Sequence, residues 1–390
     1  SVFLYPIGIY VGVLLCLRLV SNSGNQFGSR SIPEYLGIRY QSPWIRILVS
    51  IFSLSLFFYL AGQLVSGIVM FEIMLGVPKM AALIITSVVL LIYVVLGGAH
   101  ADILTDGVQG FIMVGVGVLV AVLFCLGYGI EGGFDGMISA LGSQDENLVG
   151  WLNVTDVLYH SWWAIFAVFL AHVPLGMLPH IGNKLWALKE PTQRMQFIRL
   201  AFVFALILAM LGFGGIMARV ILGEGIDSNQ ALALLFIDLF PSWFAALLGV
   251  GILAAVMSTA DGLVVSSSQI VANDLYRLSF VPRYRKDLSE EEVERRSLNI
   301  SRISTVVIMI LCTLLAWQTL DMNVTILVWI GVGCMMAAFA GPLILGSVWS
   351  GVTKAGAFAG LLTGGGVYII TYLGVINPEW FGPGSLKDIA

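Results

Sequence analysis

Charge is what this sequence has least of. Only 11% of its 390 residues are Asp, Glu, Lys or Arg, against about 25% in an ordinary soluble domain. That scarcity excludes a soluble enzyme, a disordered chain and a nucleic-acid binder with a basic surface. Cysteine is scarce as well. Cys16, Cys125, Cys312 and Cys334 all fall inside apolar runs, so they read as small buried residues and not as a disulfide framework. No GxxxxGK[ST], HExxH, CxxC or GxSxG element occurs, which argues against ATP as a direct energy source and against enzymatic chemistry. No organic cofactor and no nucleic-acid partner is expected, and the residues specify no protein partner.

What is present is apolar. Hydrophobic residues make up 58% of the chain, mean hydropathy is +0.95, and there are 44 glycines. Glycine at that level in so apolar a chain suits helices that pack closely in a bilayer. A span needs roughly 20 apolar residues. Ten nearly charge-free runs of that order can be marked: Ser1–Leu17, Ile47–Phe71, Met80–Ala101, Gly107–Ile130, Val157–Asn183, Leu200–Ala218, Leu239–Ala260, Ile303–Leu320, Met322–Thr353 and Ala355–Pro378. They are continuously apolar, without the period-two alternation of a membrane β-barrel. Backbone groups in lipid must be satisfied within the segment, so the spans are helices. The fold class is an all-α polytopic membrane protein, and residues 1–390 form a single transmembrane domain.

The basic residues set the orientation. If the first helix runs outside to inside, sixteen of the nineteen Lys and Arg residues lie on the inner side and only Lys79, Arg219 and Lys387 on the outer. This is a strong positive-inside pattern, expected of a bacterial inner membrane. Glu72 falls near the outer face, His100 and Asp102 in an inner loop, and Asp287–Arg296 in a solvated helix between spans. The chain opens at Ser1 without Met or a charged leader, so upstream membrane helices are expected before it, a cleaved signal peptide being the alternative. Its end, GPGSLKDIA, reads as a loop.

Ionisable residues inside a membrane are rare and mark function by default. Asp106 lies in GGAHADILTDGVQG at the inner start of the fourth span, where a helix N-cap is an equal alternative. Asp261 lies well inside the seventh span, where capping cannot explain it and unpaired burial is costly. Ala255, Ser258 and Thr259 share one face of that helix at i, i+3 and i+4. A hydroxyl that bonds back to the i−4 carbonyl loosens the helix there. One carbonyl and two hydroxyls make a partial shell of hard oxygens, suited to a small hard cation by extension from Ca²⁺ and Mg²⁺ sites. Small-residue helix packing accounts for the same spacing equally well.

The stretches GGAHADILTDGVQG and STADGLVVSSSQIVANDLYR, with RSIPEYLGIRY after the first helix, resemble the sodium/solute symporter family, which includes proline, glucose, pantothenate and acetate carriers. The resemblance runs along the whole chain. It implies a leucine-transporter-type core of two inverted five-helix repeats with a site at the midplane. In that register the ten spans are core helices two to ten plus one extra, with the first core helix upstream. It implies Na⁺ as the coupling ion, held by the Ala255 carbonyl and the Ser258 and Thr259 hydroxyls. Asp106 matches an aspartate that supports a second sodium in some members. Asp261 and Gly262 stand where such members carry serines. Asp106 and Asp261 are therefore the candidate second cation site.

The resemblance implies a Na⁺-coupled symporter, not an enzyme, importing a small organic solute by alternating access. Within HVPLGMLPHIGNKLWALK, the LPH element at Leu178–His180 is similar to the pantothenate and acetate branches, which points to a small carboxylate. A sugar or proline-like symporter, or a non-transporting sensor with the same fold, are the alternatives. Pro174, Gly176 and Pro179 are expected to interrupt this helix. His172, Tyr59, Gln63 and Trp329 are candidates to line the solute cavity, although packing is the commoner role for each.

Overall fold

Two helices make a large share of the contacts that hold the bundle together, and the rest of the molecule is arranged around them. In the computed structural model, which describes residues 2–19, 31–154, 156, 158–188, 190–346 and 349–375, these are α4 (Leu56–Leu75) and α12 (Ser242–Gln269). Leu56, Leu60, Leu64 and Ile68 on α4 are buried, and so are Ala61, Gly62 and Gly67 between them. A helix apolar all round belongs inside a bundle.

In chain order the other α-helices of eight residues or more are α1 (Leu4–Leu19), α2 (Ile32–Arg39), α3 (Pro43–Ser53), α5 (Lys79–Leu126), α6 (Gly133–Gln144), α7 (Trp162–His172), α8 (Pro179–Ala187), α9 (Pro191–Ala209), α10 (Leu211–Ile221), α11 (Ala231–Leu239), α13 (Glu290–Gln318), α14 (Val324–Phe339) and α15 (Lys354–Tyr372). No strand occurs among the described residues. Their starts follow local chemistry. Ser31, Ser42, Ser161, Ser289 and Thr353 each accept a hydrogen bond from a backbone N–H of the first turn, satisfying an otherwise orphaned donor.

Seven helices among the described residues are long and apolar enough to cross a membrane, and Leu4–Leu17, Lys79–Ile92 and Trp162–Met177 are shorter apolar helices. Together they fall on the ten expected runs. Large apolar side chains such as Phe111 face outward at 82% exposure, which is how a lipid-facing surface differs from a soluble one. Cys16 and Cys312 are buried as expected, whereas Cys125 is exposed on the outer wall.

The fourth and third expected spans are continuous in α5. A straight helix of 48 residues would run about 72 Å, more than twice the bilayer core. Contacts show that it doubles back. Lys79 pairs with Glu72 at 4.0 Å, and Val94 and Val95 line one cavity with Asn273 and Arg277. A Cβ on Gly249 would then meet Met74, and one on Gly251 would meet Val116. Val116 has thus returned to the level of Met74, near where the helix began. The reversal falls between Val95 and Leu104, where the sequence has Gly97-Gly98, a pair that permits a sharp kink. His100 and Asp102 therefore lie at the inner reversal between the two spans, in backbone that is helical and not an extended loop, with side chains outside the described set. Similarly, Glu290–Arg296 is the first part of the spanning helix α13 and not a separate connector.

Lipid gives helices no hydrophobic drive to associate, so small residues and close contact do that work. α1 carries Gly8 and Gly12 four residues apart. A Cβ on Gly12 would lie 1.8 Å from the Val173 carbonyl oxygen, and one on Gly176 would lie 2.2 Å from that of Ile9. Gly364 of α15 meets the Ala337 carbonyl at 2.0 Å in the same sense.

The two ends differ in charge. At one end Arg39 reaches the Trp349 carbonyl, Arg46 the Ser279 hydroxyl at 3.0 Å, and Arg283 stacks over Trp44. At the other end Arg219 meets Gln144 and Glu224, and Asn323 meets Ser228. The arginine-rich end is the one assigned inward by the basic-residue count.

Candidate functional site

The Ala255–Thr259 face of α12 is polar in the middle of an apolar helix. The Thr259 hydroxyl donates to the Ala255 carbonyl at 3.2 Å, the back-bond that residue spacing predicts. Ser258 does not bond back. Its hydroxyl reaches across the bundle and donates to Asp106 Oδ1 on the returning arm of α5. Asp106 lies in helical backbone near the start of the returning arm of α5, and its carboxylate is used sideways, towards other helices.

Asp106 Oδ2 has a second partner, the Lys184 ammonium on α8. Sequence reasoning placed Lys184 among the loop charges. It arrives here because the helix is broken where Pro174, Gly176 and Pro179 stand. α7 ends at His172, Val173–Met177 form a 3₁₀ turn, and Leu178 is extended (φ −61°, ψ 146°). α8 then restarts at Pro179, a residue suited to the first turn because its missing N–H is not needed there. One turn before Lys184, His180 buries its Nδ1 without a hydrogen-bond partner. The only sequence signal for this arrangement was the interruption itself, since Lys184 and Asp106 are 78 residues apart.

Asp261 stands apart from this group. It is wholly buried, Oδ1 accepts the Gly262 N–H at 2.7 Å, and Oδ2 has no partner. It makes no hydrogen bond to Asp106, Ser258 or Thr259. Buried polar atoms are normally satisfied, so an orphaned carboxylate oxygen in mid-helix requires a reason. No group of three or more His, Cys, Asp or Glu able to hold a metal occurs among the described residues. The oxygens on this face suit a hard monovalent cation better than a transition metal.

A second cluster lies on the far side of the helix break. The His172 ring packs edge-on against Tyr5 of α1, with centroids 5.2 Å apart, and against Trp329 of α14 at 6.3 Å. His172 Nδ1 lies 2.6 Å from the Val168 carbonyl. The Tyr59 backbone on α4 supports α14, because Gly331 lets the two helices approach there. Gln63 is one turn from Tyr59 on the same helix and partly buried, and it joins none of these ring contacts. The structure therefore brings His172 and Trp329 together, adds Tyr5, and places Tyr59 on the helix packed against α14 at Gly331, with Gln63 one turn further along. The broken helix is the piece shared by both clusters: His172 ends its first half and Lys184 sits in its second.

Comparison with known proteins supports the same architecture. The chain is 26% identical over 368 residues to the sodium/pantothenate symporter of Escherichia coli, covering 92% of this chain and 71% of that one. It is 27% identical to the high-affinity proline transporter of Bacillus subtilis (93% and 77% covered). It is 23% identical to a monocarboxylic acid transporter of Corynebacterium glutamicum (93% and 69% covered). A solved Na⁺-coupled sialic acid symporter, in a substrate-bound outward-open state, superposes with a TM-score of 0.62 at 17% identity, covering 93% of this chain and 83% of that one. That likeness shows a shared fold. The sequence profile of the sodium:solute symporter family matches residues 1–364, and the chain belongs to that family, a multi-pass Na⁺-coupled solute symporter and not an enzyme.

Proposed function

We propose that the chain imports a small solute bearing a carboxylate, driven by Na⁺ through alternating access. One observation carries the reading. A single interrupted helix, α7–α8, joins the aromatic cluster of Tyr5, His172 and Trp329 to the polar group at Asp106 and Ser258. An interrupted helix at mid-depth exposes backbone amides and carbonyls that an unbroken one conceals. A solute packed among the rings and an ion held at the hydroxyls would then act on the same movable element.

Na⁺ binds at the Ala255 carbonyl and the Ser258 and Thr259 hydroxyls, with Asp106 and Asp261 as the carboxylates of a second cation position. The donor set fits, since each is a hard oxygen. The Ser258 hydroxyl commits its proton to Asp106, which leaves lone pairs to face a cation. The solute cavity is lined by Tyr59, Gln63, His172 and Trp329.

The choice of a carboxylate rests on shared chemistry. Pantothenate, proline, monocarboxylic acids and sialic acid, named for the relatives above, all carry that group. Pantothenate and proline fit this chain equally. Each net charge moved across 100 mV contributes about 2.3 kcal/mol, and the Na⁺ concentration gradient drives the cycle whether or not net charge moves. The test is uptake by the full-length protein in proteoliposomes under an imposed Na⁺ gradient, with a panel of carboxylates, neutral sugars and amino acids. Concentrative uptake of a carboxylate-bearing solute is expected. Uptake confined to a neutral sugar would overturn the substrate class, and uptake indifferent to Na⁺ would overturn the coupling.

A further inference from the structure

Asp106 is fully engaged in this structure by groups of the chain itself. One oxygen accepts the Ser258 hydroxyl and the other pairs with the Lys184 ammonium. The ammonium is a hard, strongly hydrated monovalent cation on a flexible stem, so in charge it does what a bound Na⁺ would do. Neither partner is sealed off: the Lys184 side chain is 27% exposed and that of Asp106 22%. The pair therefore sits at the margin of the bundle and not in its sealed core, and Lys184 is the cation that holds the carboxylate.

The geometry points to Lys184 as a tethered cation that fills the second positive position at Asp106, so that the site takes up one Na⁺ where the bare carboxylate would take two. This rests on the Na⁺ ligand set proposed above. The α8 segment supplies the charge only because the break at Val173–Met177 and the restart at Pro179 bring its second turn alongside α5. An unpaired carboxylate beside the Ser258 hydroxyl would offer a second cation two charged or polar oxygens. With Lys184 in place that position is neutral. Since Lys184 does not leave the protein, one Na⁺ accompanying one solute of net charge −1 makes the cycle electrically silent, whereas one Na⁺ with a zwitterion such as proline moves one charge. Two Na⁺ with that anion would make the cycle carry current.

The test is the amount of radiolabelled Na⁺ bound at saturation by the purified full-length protein without any solute. One ion per chain is expected for the wild type and for Lys184→Arg. Lys184→Gln should bind two, a doubling, and Lys184→Gln combined with Asp106→Asn should return to one. An unchanged single ion in Lys184→Gln overturns the proposal, as does a wild type that already binds two. If Lys184→Gln fails to fold, Asp106→Asn alone decides: one ion, as in the wild type, is expected, and a drop from two to one overturns the proposal. A wild type that binds no Na⁺ overturns the underlying ligand set as well. A wild type with one ion and an unchanged Lys184→Gln strikes this inference alone.

Discussion

Ser258 and Asp106, 152 residues apart in sequence, share a hydrogen bond inside the bundle. The hydroxyl is the donor, so its direction is fixed by the carboxylate and its oxygen lone pairs are turned elsewhere. Partners that orient a ligand in this way are as much part of an ion site as the ligand atoms. Ser258→Ala removes both the oxygen and its tether. The half-saturating Na⁺ concentration should rise about tenfold or more, the equivalent of about 1.4 kcal/mol, and Thr259→Val should add to it. Titrating Na⁺ against solute uptake checks this. If the double variant keeps the wild-type Na⁺ dependence, the cation is held elsewhere.

Solute binding is expected to depend on the other side of the break. Trp329 meets the His172 ring edge-on, and such aromatic pairs contribute about 0.5–1.5 kcal/mol beyond their buried area. Trp329→Ala should therefore raise the half-saturating solute concentration by about 2- to 10-fold. Na⁺ binding measured without solute should stay within twofold of wild type. A Na⁺ defect as large as the solute defect would mean that Trp329 serves the fold and not the cavity.

These two clusters also show what a sequence can reveal about such a site. Apolar runs located the spans because bilayer thickness sets their length, and Pro174, Gly176 and Pro179 located the break because their backbone limits are local. The Thr259 back-bond followed from i−4 spacing. Lys184 was missed because a lysine near the basic end of a span resembles any loop charge until its partner is known, and that partner is brought in by tertiary packing. The reversal within α5 was half legible. Two spans were marked with a gap between them, but the helical backbone through His100 and Asp102 was not, since charge there resembled a loop. Cys125 sits in an apolar run like the other cysteines, and hydropathy does not distinguish a lipid-facing position from a buried one.

The close approach of α1 to the broken helix makes a contrast among glycines. Gly12 and Gly176 have backbone atoms where a Cβ would go, while Gly115 has nothing within 4 Å. Gly12→Ala must push the helices apart or shift the 3₁₀ turn, at a cost of about 1–3 kcal/mol. Gly115→Ala sits in open helix and should be neutral or slightly stabilising, since Ala is the better helix former by about 1 kcal/mol. Thermal unfolding in detergent should separate them, with Gly12→Ala lower by several degrees and Gly115→Ala unchanged or higher. Equal effects would show that α1 does not rely on this contact.

At the arginine-rich end, a polar tie fastens α2 to the π-helical segment Ile270–Phe280 that follows α12. Ser31 donates to Asp274 Oδ1 at 2.7 Å, and Asn273 contributes at 3.3 Å. The Ser279 hydroxyl donates to the Asp274 carbonyl and in turn accepts from Arg46. Asp274 is only 1% exposed, so water cannot replace a partner that is removed. Ser31→Ala leaves the carboxylate short of a donor, which costs about 1–3 kcal/mol, and the same change also removes the cap of α2. Asp274→Ala removes the acceptor and its demand together, so the double variant should be less destabilised than the two single changes combined. A coupling of about 0.5–3 kcal/mol is expected for groups in one network. Denaturation midpoints of the four proteins, compared as a cycle, measure it. Strict additivity would mean that Ser31 acts only as a helix cap and that Asp274 is held by Asn273 and its own backbone.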